Sequence, residues 1–107
     1  MGKVEEKKEK VRLLLIERYK YGVRVFDPVN VHYSFFIKEN NDRPGWCEIF
    51  VEEDDKALDV IEHKCALKNR DLVELMPLLQ EVLDYMMRNG EKLKIDQIVI
   101  LDKHFGP

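Results

Sequence analysis

Cys47, His63 and Cys65 are the residues best suited to chemistry: two thiols and an imidazole are three of the four donors a tetrahedral zinc site takes. If strands over 46–53 and 57–67 pair around a polar turn at 53–56, Cys47 falls opposite or diagonal to residues 63–65 on one face. A fourth ligand is not at hand. His32 falls on the other face of its own strand, and there is no C-x-x-C pair. The simplest reading makes both thiols small buried hydrophobes. A disulfide is one alternative, and a thiol- or metal-responsive site built on Cys47, His63 and Cys65 is another. Cytosolic disulfides are rare outside hyperthermophiles.

Other chemistry is thinly provided. Glu52-Glu53, Asp54-Asp55 and Asp27 with His32 are acid–base candidates, but they fall at turns and strand ends, where carboxylates are solvated. Adjacent carboxylates on a strand also point to opposite faces. The chain has no Thr and one Ser, Ser34, and its five Gly stand singly, so it has no phosphate-cradling loop. No catalytic residue, cofactor-binding residue or cofactor is identified. A small enzyme with an acid/base site not evident from sequence remains an alternative.

The aromatic residues carry more information. Val31–Lys38 is rich in β-branched and aromatic types, and Trp46–Glu53 alternates apolar and polar residues; the Asn40–Gly45 loop between them predicts an antiparallel hairpin. Val31, Tyr33, Phe35 and Ile37 share one face with Cys47, Ile49 and Val51 as a core side. Phe36, Trp46 and Phe50 fall on the other, together with His32, Ser34, Lys38, Glu48 and Glu52. Large aromatics on a face expected to be wet predict a cover. That cover is either an N-terminal helix of the same chain or a partner, and Trp is a favoured interface anchor.

The elements that must position these residues are read as follows. The 3–4 spacing of Val4, Val11, Leu14, Leu15, Arg18 and Tyr19 predicts a helix over 3–21 that ends at Gly22. Residues 23–68 read as a β-meander of three or four strands, with 54–68 more strand-like than helical. Residues 71–89 read as a helix with Asp71 and Glu74 at its start, kinked or broken at Pro77 and ended by Asn89-Gly90. Residues 93–101 read as a closing strand apolar on both faces. The predicted fold is α+β: an N-terminal helix, an antiparallel meander, a long helix and a C-terminal strand, in a two-layer or three-layer sandwich.

At 107 residues the chain makes one domain, and 45% hydrophobic residues argue against disorder. No apolar run approaches the roughly 18 residues of a membrane span, and the charged start, MGKVEEKKEKV, is unlike a signal peptide. A cytoplasmic protein is expected. Lys and Glu make 24 residues against two Gln, a thermophile's tendency. The net charge is −3, positive over 1–22 and negative over 23–92. An acidic body with pI near 5.6 argues against nucleic acid as a partner. The reading is a small non-catalytic protein acting through protein–protein contacts as a self-associating adaptor, chaperone or inhibitor, with a dimer expected.

Overall fold

The computed structural model describes residues 10–29, 32–65, 67–68, 70–88 and 93–103. Six strands and one helix follow in chain order: β1 (Lys10–Tyr19), β2 (Gly22–Phe26), β3 (Tyr33–Glu39), β4 (Trp46–Glu53), β5 (Lys56–Lys64), α1 (Leu72–Met87) and β6 (Leu93–Asp102). They form one sheet in the order β5-β4-β3-β2-β1-β6. The first five strands are an antiparallel meander, and β6 returns parallel to β1. A parallel neighbour needs a crossover, and α1 supplies it across one face of the sheet.

This overturns the predicted N-terminal helix, and with it an architecture that begins on a helix. Residues 10–19 are a strand with hydrogen-bonded neighbours on both sides; the remainder of that predicted helix, residues 1–9, lies outside the described residues. The run Leu13–Ile16 suits either state, because an interior strand is apolar on both faces and periodicity alone cannot separate it from a helix. The deciding partner, β6, lies more than 80 residues away: Arg18 pairs with Asp102. The sheet is mixed, and one helix lies against one of its faces.

The core lies between the sheet and α1. Leu14, Ile16, Val23, Val25, Phe35, Ile37, Ile49 and Val51 from the strands meet Leu75, Leu78, Leu79 and Val82 of the helix, all at most 2% exposed. Asp71 caps α1, its carboxylate accepting from the Glu74 N–H at 2.9 Å. Pro77 sits inside the helix without breaking it. The carbonyl it deprives of a partner belongs to Val73, on the exposed side where water can reach it. Leu72 and Met76 of α1 are exposed, and Leu78 lies on its inner side. The predicted helix end at Asn89-Gly90 falls outside the described residues, as does Val31.

A turn and a bulge set the register around the site. Asp54 and Asp55 both adopt positive φ, 50° and 65°, in a two-residue hairpin between β4 and β5. That conformation matches the twist of paired strands and is tolerated by Asp. A bulge after Val51 pairs Glu52 with Ala57 and leaves Leu58 between the rungs.

Candidate functional site

The face of the sheet opposite α1 is covered by no described element. One transverse row crosses all six strands there: Val60, Phe50, Phe36, Arg24, Glu17 and Leu101, each paired with the next. Phe36, Trp46 and Phe50 lie on this face half-buried, and Val60 at its edge is 49% exposed. The next row runs Ala57, Glu52, Ser34, Phe26, Leu15 and Val99. Apolar and charged residues therefore interleave across the whole sheet.

Three of the rings on this face carry a cation. The Arg43 guanidinium lies 3.5 Å from the centre of the Trp46 ring, Arg24 lies 4.2 Å from Phe26, and the Lys38 ammonium lies 4.9 Å from Phe50. Exposed contacts of this type contribute about 0.5–1 kcal/mol each. The fourth ring, Phe36, lies across Gly22 and 6.4 Å from Tyr19. The cations lie over the ring faces; Arg24 and Lys38 are strand residues, whereas Arg43 comes from the 40–45 loop, which strand alternation does not reveal.

A buried carboxylate anchors the β1 end of the face. Glu17 Oε1 accepts from the Tyr19 hydroxyl at 2.9 Å and from Arg24 at 3.4 Å, and Oε2 lies 3.3 Å from the Lys103 ammonium. Burial pushes the Glu17 carboxyl up, but the hydrogen bonds from Tyr19 and Lys103 and the charges of Lys103 and Arg24 outweigh it, leaving a net lowered pKa.

Cys47 and Cys65 are joined in a disulfide with their Cα atoms 5.8 Å apart. Cys47 is fully buried, and Cys65 lies just past β5, its N–H donating to the Gly45 carbonyl. The bond ties the β5–α1 connection onto β4. His63 pairs with Cys47 in register, but its Nδ1 lies 2.9 Å from the Lys64 carbonyl and its Nε2 3.6 Å from Glu81 of α1. With the two sulfurs bonded to each other and the imidazole held elsewhere, the three side chains do not present a joint set of metal donors.

His32 stands with Glu53 and Asp54. Its Nδ1 lies 2.9 Å from Asp54 and its Nε2 2.9 Å from Glu53. The hydrogen bond with Asp54 raises the imidazole above its usual value, assisted by the charges of both carboxylates. The three could offer oxygen and nitrogen donors to a cation. The carboxylates hold opposite sides of the ring, so an ion on one nitrogen would have a single carboxylate beside it. Asp27, weighed as an acid–base partner of His32, is instead buried and caps the next turn, accepting from the Val29 N–H at 2.8 Å.

No family model, curated protein or solved structure matches the chain. What the molecule does is therefore read from its own surfaces. Among the described residues no helix is long and apolar enough to cross a membrane.

Proposed function

We propose that the chain is a small non-catalytic protein that works by binding protein, and that the bare sheet face meets a second copy of itself. The observation that carries this reading is the row Val60–Phe50–Phe36 beside Trp46, on a face that no described element covers. Trp and Arg are the residue types most enriched at interface centres, and here Trp46 and Arg43 are stacked together.

A second copy is favoured over an unrelated partner by the charge pattern. The face carries the exposed or half-buried charges Arg24, Lys38 and Arg43 alongside Glu48 and Glu52, both signs together, so an identical face supplies both kinds of counter-charge across a two-fold axis. Face-to-face packing of two such sheets is the ordinary solution for apolar rows on a wet side. A hyperthermophilic source would reconcile the Cys47–Cys65 bond with a cytosolic setting.

Sedimentation velocity on the whole protein tests this reading. The expected result is a concentration-dependent dimer. Trp46→Ala with Phe50→Ala should weaken it at least about thirtyfold, the loss of one hot spot, while circular dichroism stays that of a folded sheet. A folded monomer at all concentrations up to about millimolar, the weakest affinity worth calling an interface, would overturn it.

A further inference from the structure

A cleft of about 470 Å³ opens at the end of the sheet marked by the β1–β2 turn, a volume typical of small-molecule sites. Three stretches far apart in the chain build it. Lys20 and Tyr21 come from the β1–β2 turn, Lys38 from the end of β3 with Asn41 in the loop just after it, and Lys68 and Arg70 from the segment that the disulfide holds ahead of α1. Leu67, buried in the core, gives it an apolar patch.

The charge here runs against that of the chain. Four cations line the cleft against one carboxylate, Glu39, in a protein of net charge −3. Elsewhere Arg18, Arg24, Arg43 and Lys103 are each neutralised by a carboxylate: Asp102, Glu17, Glu62 and Glu17 respectively. Among the described residues, Lys20, Lys38, Lys68 and Arg70 form no ion pair. Convergent cations without counter-charges repel one another and favour an anion between them.

Arg70 is fixed for the purpose. Its guanidinium donates to the Tyr19 carbonyl, its N–H donates to Glu74 Oε2 at 3.1 Å, and its carbonyl accepts from Arg18 at 3.2 Å. A guanidinium has five N–H donors, so the Tyr19 contact leaves most of them for a ligand. At the mouth, Tyr21 is 79% exposed, with the Lys20 ammonium 5.9 Å from its ring centre. Lys38 reaches over Phe50 and so stands at the lip facing the sheet. Cations suited to a phosphate monoester thus stand beside an exposed ring suited to stacking and an amide, Asn41, suited to a base edge.

We propose that this cleft binds a nucleoside phosphate, the phosphate against Lys20, Lys68 and Arg70 and the base against Tyr21. The cleft touches the proposed dimer face through Lys38, but Lys20, Tyr21, Lys68 and Arg70 lie off its aromatic rows, so variants of those residues test the cleft apart from the dimer.

The test is amide chemical-shift titration of the whole protein, disulfide intact, with AMP, GMP, CMP and UMP, and with inorganic phosphate and adenosine in separate arms. At least one nucleotide should move the amides of residues 20–22, 38–41 and 67–70. Lys68→Glu should weaken it about tenfold or more, the loss of one charge-assisted contact, with Lys68→Gln intermediate. Tyr21→Ala should weaken the nucleotide severalfold and leave phosphate unchanged. All three variants are at exposed positions, so each should fold. The proposal is overturned if no nucleotide moves these amides at about 5 mM, a concentration that reveals even millimolar binding. It is overturned equally if phosphate binds as tightly as every nucleotide and Tyr21→Ala changes neither, or if adenosine binds as tightly as AMP.

Discussion

The ring of Phe36 occupies the place where a side chain on Gly22 would stand. A Cβ at Gly22 would come within 2.8 Å of ring atoms Cε1 and Cζ and within 2.5 Å of the Ile37 carbonyl oxygen. The ring could swing away; the carbonyl belongs to β3, the strand paired with β2, and is not free to do so. Gly22→Ala should therefore destabilise by about 1–3 kcal/mol, the usual cost of overpacking, as a lower urea midpoint. Because Phe36 must shift in the same variant, it should also weaken the proposed dimer.

The Cys47–Cys65 bond closes a loop of 18 residues. Reducing it, or Cys65→Ala, should cost about 3 kcal/mol on the chain-entropy scale, read as a drop in denaturation midpoint with reductant. Mass spectrometry of the alkylated protein should find no free thiol before reduction and two afterwards. The loosened part should be the 65–70 connection, seen as faster amide exchange there than in β3.

His32 gives a pH signature of definite sign. Its native pKa is raised by Asp54 and Glu53, so its contribution to stability is complete below the unfolded value of about 6.5 and is lost as pH rises through the native value. Stability should decline through neutral pH into the mildly alkaline range. His32→Gln should flatten that part of the curve, in urea melts taken across the window.

Glu17 has the opposite sign. Its native carboxyl is lowered, so its contribution is present above the unfolded value of about 4.3 and fades as pH falls through the native value. Glu17→Gln leaves Lys103 and Arg24 without their shared carboxylate. The variant should lose about 1.5–3 kcal/mol at neutral pH, the range for hydrogen bonds to charged groups, and show a shallower acid limb.

Legibility followed the range over which each signal acts. The alternation in Trp46–Glu53 involves neighbours two residues apart, and the strand β4 has that burial alternation. The Asp71 and Glu74 pair acts within one turn, although Glu74 reaches back to the N–H of Arg70 rather than to that of the cap residue itself. The helix expected over 3–21 fails where local signals are degenerate: Leu13–Ile16 packs equally well as a helical stripe or as both faces of an interior strand. Of the candidate site residues, Phe36, Trp46 and Phe50 share a face through pleat geometry alone. The Arg43 guanidinium over Trp46 and the Asp54 carboxylate beside His32 come from a loop and a turn whose contacts no periodicity encodes.

By itself the chain of residue types determined which stretches are two-sided, which side is apolar, and that large rings lie on both sides of one hairpin, because side-chain direction alternates along any extended backbone. Tertiary structure alone decided that β6 docks parallel beside β1, that α1 shields one face while no described element covers the other, and that Lys20, Lys68 and Arg70 converge on one cleft. Those outcomes depend on contacts between residues tens of positions apart, whose free energy exists only once the intervening loops have closed.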